Sequence, residues 1–284
     1  MAESATLEQR GEASEGGLRP PPRDLVAGEI TIQRLSKRYL SLSGPVHALQ
    51  EISLQVRAGE FLTIIGPSGC GKSTLLSIVG GMGKPDSGSV LLDGVPSNGP
   101  NPKKVSLVFQ DPGLFPWRSA LGNVEFGLEL QGVPSARRRE IAVGLLEPLG
   151  LKGFEAKYPK ELSGGMKQRV AIARALALGS EILLMDEPFG ALDEQTRLLM
   201  GEWLLTVWER TKRTIVFVTH SLQEAVLLSQ RVVVMTARPG RIKEILEVKL
   251  PYPRDPNSPE TSALRARLWD QVRGESLRAL EAGL

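Results

Sequence analysis

The sequence is poor in cysteine, in long apolar runs and in clustered charge. Cys70 is the only cysteine, which excludes an intramolecular disulfide and is typical of a protein from a reducing compartment. The longest apolar runs, such as 182–185 and 232–235, have the length of strands, whereas a bilayer span needs about 18 residues. Basic and acidic residues are interleaved to a net charge of +3. We therefore expect no membrane crossing and no nucleic-acid-binding surface.

The pattern along the chain predicts an α/β fold. Residues 1–28 contain a glycine pair and a proline run without a signal-peptide pattern, and we interpret them as a flexible tail. Residues 29–61 alternate short apolar runs around a turn near 41–45, which predicts antiparallel strands. A mainly parallel sheet covered by helices is predicted from buried strands at 61–65, 105–109, 182–185, 214–218 and 232–235.

Two interruptions of this pattern predict the domain organisation. Strands stop between 111 and 162, where proline, glycine and helical segments predict a helical insertion. A proline-rich joint at 251–259 precedes apolar residues at helical spacing over 260–280. We expect a core domain at 29–252, with its antiparallel β subdomain and a helical subdomain at about 111–162, and a C-terminal helical extension at 253–284.

A glycine-rich loop lies between the predicted strand 61–65 and a predicted helix at 74–79. The pattern G-x-x-x-x-G-K-[ST] is matched by Gly66, Pro67, Ser68, Gly69, Cys70, Gly71, Lys72, Ser73 and Thr74. Its backbone N–H groups can turn toward phosphate oxygens, Lys72 can reach the β- and γ-phosphates, and Ser73 can ligate Mg²⁺. This phosphate loop predicts binding of a nucleoside triphosphate, against the alternative of a turn with an incidental lysine. We interpret Cys70 as a small buried residue rather than a redox group.

Two carboxylates follow the apolar strand at 182–185. Asp186 is expected to hold Mg²⁺, mostly through water, and Glu187 to polarise the attacking water as general base. Acidic residues also end strands that have no catalytic function. The phosphate loop upstream favours the catalytic interpretation, because a strand ending in carboxylates is the usual second half of such a site.

The segment 162–169, Leu-Ser-Gly-Gly-Met-Lys-Gln-Arg, distinguishes among proteins that share those two motifs. Ser163 is a predicted N-cap, and Gly164 and Gly165 leave backbone N–H groups uncovered for an anion; a capped helix without a ligand is the alternative. With the phosphate loop and the two carboxylates, this signature segment resembles the ABC ATPase family, whose signature is L-S-G-G-Q. The resemblance covers about residues 30–248, and Met166 stands where the family usually has Gln.

This resemblance implies a P-loop NTPase (RecA-like) fold and a homodimer that binds ATP and Mg²⁺ between its subunits. Ser163, Gly164 and Gly165 of one subunit would cap the γ-phosphate held by the other. Four further roles are implied: Gln110 as a sensor of Mg²⁺ and the γ-phosphate, Asp193 in the D-loop, His220 as the switch histidine, and Tyr39 as the aromatic that stacks on adenine.

Each of these residues also has a plainer explanation, and one position departs from the family. Without the resemblance, Gln110 would be an exposed structural residue, His220 a core histidine and Tyr39 a packing residue of a hairpin. After the histidine the family often has Asp, whereas this chain has Ser221. Ser221 and Glu224 match the S-x-x-E capping box, so we expect the helix start to survive.

The stretch 111–118 places Leu114, Phe115 and Trp117 among prolines directly after Gln110. Large apolar groups in such a loop favour a partner surface, and an internal cluster within the insertion is the alternative. With 122–124 and 237–241, the stretch is similar to ATPase subunits of the nitrate, sulfonate and taurine importers. That similarity implies a peripheral protein at the cytoplasmic face of the inner membrane, bound to a permease and served indirectly by a solute-binding protein. The imported solute would be small and anionic or organosulfur.

Three alternatives remain at this level. The chain could serve an ABC transporter for another substrate. It could be a soluble ABC ATPase acting on DNA or ribosomes, although such proteins typically carry long coiled-coil insertions or two cassettes. A GTPase or kinase is disfavoured because no Asn-Lys-x-Asp guanine motif occurs and because the signature segment would be unexplained.

Overall fold

The computed structural model describes residues 27–41 and 44–281. The strands are β1 (Ile30–Ser41), β2 (Gly44–Val56), β3 (Phe61–Ile65), β4 (Ser87–Leu92), β5 (Val95–Pro96), β6 (Val105–Val108), β7 (Ile182–Asp186), β8 (Thr214–Val218), β9 (Arg231–Met235) and β10 (Ile242–Glu247). The α-helices are α1 (Lys72–Val79), α2 (Ala120–Leu130), α3 (Ser135–Leu146), α4 (Gly164–Ala177), α5 (Glu194–Thr211), α6 (Leu222–Leu228) and α7 (Pro259–Glu281). A 3₁₀ helix covers Pro159–Glu161. The predicted tail at 1–28 lies, except for its last two residues, outside the described residues.

A six-stranded sheet in the order β10-β9-β3-β8-β7-β6 forms the centre of the molecule. The five strands from β9 to β6 are parallel, and β10 adds an antiparallel edge. Every residue of β3, β7 and β8 is buried, as expected for strands that are covered on both faces. The α/β fold with a mainly parallel sheet is therefore confirmed.

The antiparallel sheet is larger than the sequence predicted. Its order is β2-β1-β4-β5. The sequence predicted antiparallel strands only within residues 29–61, so β4 and β5 were missed. Strand β4 begins Ser-Gly-Ser and buries only its alternate residues Val90 and Leu92, which is a weak strand signal. Its partner β1 is distant in sequence, because β2, β3, the phosphate loop and α1 lie between the two strands.

The two faces of the central sheet bury different partners because neighbouring strand residues point to opposite sides. Leu62, Ile64, Leu184 and Val218 pack with α1 and the antiparallel sheet. On the other face, Phe61, Leu183, Met185 and Phe217 pack with residues of α2 to α5. The carboxyl ends of β3 and β7, where the phosphate loop and Asp186 lie, are thus held between two packed layers.

Helices α2, α3 and α4 pack against one another, and α7 packs on α6 and β9. The predicted domain boundaries stay predictions, and we propose to place the end of the helical subdomain after α4 rather than at 162. None of the helices in the described part of the chain combines the length and hydrophobicity that a bilayer span requires.

Candidate active site

The phosphate loop, residues 66–74, joins the end of β3 to the start of α1. Gly69 and Gly71 have φ angles of +71° and +105°, which residues with a side chain rarely adopt. A Cβ atom at Gly71 would lie 2.7 Å from both the Ala48 carbonyl oxygen and Leu49 Cδ2. The last glycine of the motif is therefore required by close packing against β2 as well as by its backbone conformation.

Lys72 is folded back onto this loop. Its ammonium group donates to the carbonyl oxygens of Gly66 and Pro67, each at 2.9 Å, and only 6% of the residue is exposed. Phosphate oxygens would compete with these two carbonyls for the same donors, and the charged oxygens form the stronger bonds. The ammonium group is thus already held at the mouth of the loop.

Cys70 is buried within the loop, as predicted. Burial raises the pKa of its thiol, and nearby Lys72 offsets only part of that effect. The thiol is therefore protonated at neutral pH, and a reactive thiolate is disfavoured.

Asp186 ends β7 next to Ser73. Burial raises the pKa of the Asp186 carboxyl, a hydrogen bond from Ser73 lowers it in part, and the charge of Glu187 raises it further. A hydroxyl and a carboxylate are hard oxygen donors, which suit Mg²⁺ with water completing its coordination. Among residues 27–41 and 44–281, no cluster of three or more His, Cys, Asp or Glu side chains could hold a metal.

Glu187 contacts His220 at the carboxyl ends of two neighbouring strands. The two side chains approach to 3.2 Å between Glu187 Oε2 and His220 Nδ1. Glu187 has a φ of +47°, a conformation that costs free energy for a residue with a side chain. His220 is exposed rather than a core residue, which removes the packing explanation considered from the sequence.

The backbone around His220 is anchored by buried polar groups that the sequence analysis did not assign. Thr219 Oγ1 donates to Glu224, and Glu224 lies 3.5 Å from Arg197 Nε. Arg197 also donates to the Leu192 carbonyl at 3.2 Å, which links the histidine to the segment before α5. Burial raises the pKa of Glu224.

The capping box predicted at Ser221 is only half correct. Ser221 Oγ accepts the Glu224 N–H at 3.3 Å and caps α6. The Glu224 carboxylate does not return the bond to Ser221, because it binds Thr219 and Arg197 instead. The Ser221 N–H donates to Thr219 Oγ1 at 2.9 Å.

The signature segment presents the N-terminus of α4. Ser163 caps the helix, since its Oγ accepts the Met166 N–H at 3.2 Å, and both Ser163 and Gly164 are exposed. A Cβ atom at Gly165 would lie 2.8 Å from Leu192 Cδ2, so this glycine packs closely against the Leu192 side chain. Asp193 caps α5 by accepting two bonds from Thr196, at 2.9 and 2.7 Å.

Tyr39 and Gln110 are both exposed to solvent. Tyr39 lies on β1 with 48% of the residue exposed and Lys37 Nζ 5.5 Å from its ring centroid. Such exposure argues against a purely packing function for this ring. Gln110 is exposed two residues after the end of β6.

Comparison with known proteins identifies the family of this site. The sequence profile described as ABC transporter matches residues 49–190. An uncharacterised ABC transporter ATP-binding protein of Methanocaldococcus jannaschii is 50% identical over 259 residues, which is 91% of this chain and 97% of that protein. The chain belongs to the ABC transporter family.

Other relatives of this ABC transporter ATPase agree with that assignment. The aliphatic sulfonates import ATP-binding protein SsuB of Bacillus cereus is 44% identical over 242 residues, covering 85% of this chain and 95% of SsuB. A solved dimeric ATP-binding cassette in a post-hydrolysis state, bound to ADP and Pi, has a TM-score of 0.72 at 33% identity and covers 78% of this chain and 99% of its own. The P-loop NTPase fold and the assignment as a transport ATPase are thereby confirmed.

The 111–118 loop of this ABC transporter ATPase has features of both an internal cluster and an exposed surface, the two alternatives considered from its sequence. Phe115 is partly buried and packs on Phe126 at 4.5 Å between ring centroids. Trp117 contacts Phe115, yet 71% of it is exposed. The loop is therefore anchored by one aromatic residue and presents another to solvent.

Two residues that the sequence analysis left without a function hold this loop. Asn123 is fully buried on α2; its side chain accepts the Phe115 N–H at 2.8 Å and donates to the carbonyls of Phe115, Arg118 and Ser119. Arg174 on α4 donates to the carbonyls of Pro112 and Gly113 at 2.7 and 2.8 Å. The loop is thus fixed to the same helix whose N-terminus carries Ser163.

Proposed function

We propose that this chain is the ATP-hydrolysing subunit of an importer for a small anionic or organosulfur solute, acting as a homodimer on a separate permease. The observation that carries the importer assignment is 44% identity to an aliphatic sulfonates import protein over 85% of the chain. In this proposal the subunit is a peripheral protein at the cytoplasmic face of the membrane. A periplasmic or extracellular solute-binding protein would deliver the solute to the permease without contacting the ATPase subunit.

In the proposed dimer, each ATP is bound by both subunits. Tyr39 stacks on adenine and residues 66–74 surround the phosphates, with Lys72 on the β- and γ-phosphates. Ser163, Gly164 and Gly165 of the partner subunit cap the γ-phosphate, with Asp193 near the interface. In the described ranges no hydrogen bond or ion pair joins the phosphate loop to the signature segment of the same chain, and the exposure of Ser163 leaves it free to serve the opposite subunit.

The proposed hydrolysis uses Glu187 as general base. Its carboxylate takes a proton from the attacking water, and His220, 3.2 Å away, orients that carboxylate and contacts the γ-phosphate. Ser73 and Asp186 would hold Mg²⁺, with Gln110 sensing it. When bound, the metal supplies charge neutralisation of the phosphate oxygens.

The 111–118 loop is the proposed contact with the permease. Trp117 is presented by a loop that Asn123 and Arg174 hold in one conformation, so little conformational entropy is lost when a partner binds it. Because Arg174 lies on α4, displacement of this loop would move the helix that carries Ser163. This connection supports a route from nucleotide closure to the permease.

The importer assignment is tested by purifying the subunit with its partners from the native membrane. We expect a multi-span permease to co-purify, and we expect ATPase activity in proteoliposomes to rise when a sulfonate or nitrate is supplied with its solute-binding protein. If only an unrelated solute raised the ATPase activity, the assignment as a transporter subunit would stand and the proposed class of solute would be rejected. Association with nucleic acid or ribosomes and no membrane protein would favour the soluble alternative.

Replacement Trp117→Ala should uncouple the subunit from its permease. Loss of an anchor residue at an interface costs about 2 kcal/mol, or roughly thirtyfold in affinity. We expect less permease to co-purify and uptake to fall, while the ATPase activity of the isolated subunit stays within about twofold. Trp269→Ala is the matched control, since Trp269 is also exposed but lies on α7. Normal uptake by the Trp117 variant would reject this contact.

A further inference from the structure

Helix α7 places a buried carboxylate beside the 236–241 turn, which connects β9 to β10. Glu275 is 1% exposed, and its Oε2 accepts the Ala237 N–H at 3.0 Å. Its Oε1 binds Lys243 Nζ at 3.1 Å and Arg278 Nη1 at 2.9 Å. Burial raises the pKa of Glu275, but these partners outweigh burial and leave the pKa below its usual range. The carboxylate is therefore ionised and fixes the turn to α7.

The same turn lies directly against the phosphate loop. Arg238 donates from Nε and Nη2 to the Gly69 carbonyl oxygen at 3.3 and 3.4 Å. A Cβ atom at Gly240 would be only 2.1 Å from the Cys70 carbonyl oxygen, so the two backbones touch there. Gly240 also donates its N–H to Ala48 at 3.0 Å, which fixes the turn to β2.

Two peptide groups of the phosphate loop take part in these contacts. In a planar trans peptide the carbonyl and the following N–H point in opposite directions. Because the carbonyls of Gly69 and Cys70 face Arg238 and Gly240, the N–H groups of Cys70 and Gly71 point away from the turn. The direction of such N–H groups determines how well a loop of this kind binds phosphate.

An apolar cluster also includes both α7 and the residue before the phosphate loop. Leu268 is fully buried in a cluster that includes Ile65, the last residue of β3, and Val272 packs against that cluster. Ile65 directly precedes Gly66. Helix α7 thus shares an apolar cluster with the strand that leads into the loop and binds the turn that covers it.

We propose that α7 positions the phosphate loop through Glu275, the 236–241 turn and Arg238, and thereby sets the affinity for ATP. Glu275 and Arg238 are positioning residues that act through the loop backbone. The inference rests on the proposed binding of ATP by residues 66–74. It assigns to the C-terminal helix a function in nucleotide binding in addition to its packing.

The test separates nucleotide affinity from turnover and from folding. We expect Glu275→Ala and Arg238→Ala each to raise the KM and Kd for ATP by about threefold to thirtyfold, the range typical of a coupled remote contact, with kcat within about twofold. Glu275→Gln keeps an oxygen that can accept the Ala237 N–H, so its KM should stay near that of the wild type. Arg267→Ala is the matched control, because it removes an ion pair between α7 and Glu244 on β10 without touching the turn.

Several results would overturn this inference. A lower melting temperature of Glu275→Ala with an unchanged KM would show that α7 only stabilises the fold. An equal rise of KM in Glu275→Gln and Glu275→Ala would show that the bond to Ala237 is not the route. If Glu275→Ala does not fold, Arg238→Ala carries the test, since Arg238 is exposed.

Two further measurements address the route itself. Residues acting through one path are not independent, so the effects of Glu275→Ala and Arg238→Ala on Kd should be less than additive in the double variant. Linkage is reciprocal, so ATP should slow hydrogen exchange in α7 of the wild type and not of Arg238→Ala. Additive effects, or equal protection in both proteins, would reject the route. Unimpaired ATP binding by Lys72→Ala would instead reject the phosphate site on which the inference rests.

Discussion

A Glu187→Gln variant is expected to bind ATP with nearly wild-type affinity and to hydrolyse it roughly 10²- to 10⁴-fold more slowly. The amide has the size of the carboxylate and can keep the 3.2 Å contact with His220 Nδ1, so the local structure should persist. It cannot accept the proton of the attacking water. Phosphate release at saturating ATP measures the loss, and equilibrium titration of nucleotide shows whether binding survives.

The same variant tests the dimeric site. If hydrolysis normally separates the subunits, a protein that keeps ATP intact should accumulate as a dimer in ATP and remain a monomer in ADP. Size-exclusion chromatography with light scattering distinguishes the two states. A variant that is monomeric in saturating ATP would contradict binding of one nucleotide by two subunits.

Glu202→Gln provides the matched control for this substitution. Glu202 is an exposed carboxylate on α5, so its replacement changes the net charge equally without reaching the site. We expect its hydrolysis rate to stay within about twofold of the wild type. A Glu187→Gln rate as high as that of Glu202→Gln would remove Glu187 as the general base.

The phosphate loop and the two carboxylates could be predicted because their pattern is local. Gly71 is required by the backbone conformation of one short loop, Lys72 follows it directly, and Asp186 and Glu187 end one apolar strand. Each pattern spans fewer than ten residues, so one sequence suffices to recognise it. The parallel sheet was predictable for the same reason, because each buried strand is a short continuous apolar run.

The supporting contacts could not be predicted, because they join residues distant in sequence. Arg174 binds Pro112 across 62 positions, and Glu275 binds Ala237 across 38. Neither side chain belongs to a local pattern that marks its partner. One signal in the sequence could have suggested an unseen partner. Glu275 lies at helical spacing from apolar residues of α7, and a charged residue on a buried helix face usually needs a partner.

Glu224 shows how a tertiary contact overrides a local rule. The S-x-x-E pattern predicts that its carboxylate returns to Ser221. In the folded chain, Thr219 and Arg197 provide a buried hydrogen bond and an opposite charge, which stabilise the carboxylate more than one exposed backbone N–H would. The helix still begins where the sequence predicts, because Ser221 alone supplies the cap.

A Lys72→Ala variant is expected to lose most of its affinity for ATP. The ammonium group would form charge-assisted hydrogen bonds with the β- and γ-phosphates, and a hydrogen bond to a charged group contributes about 1.5 to 3 kcal/mol. Its loss should weaken binding by roughly tenfold to a hundredfold. Lys72→Arg should also bind poorly, because Lys72 is almost fully buried and a guanidinium group is larger than an ammonium group.

The free protein provides an independent measurement of the same residue. Lys72 donates to Gly66 and Pro67, so its removal should also lower the melting temperature slightly without nucleotide. A ligand raises the stability of the folded state in proportion to RT ln(1 + [L]/Kd), so at a fixed ATP concentration the stabilisation should be large for the wild type and small for the variant. Lys84→Ala, which removes an exposed lysine, should retain the full stabilisation by ATP. If ATP stabilised the Lys72 and Lys84 variants equally, the triphosphate would bind somewhere other than this loop, because only the Lys72 variant lacks the ammonium group of the loop.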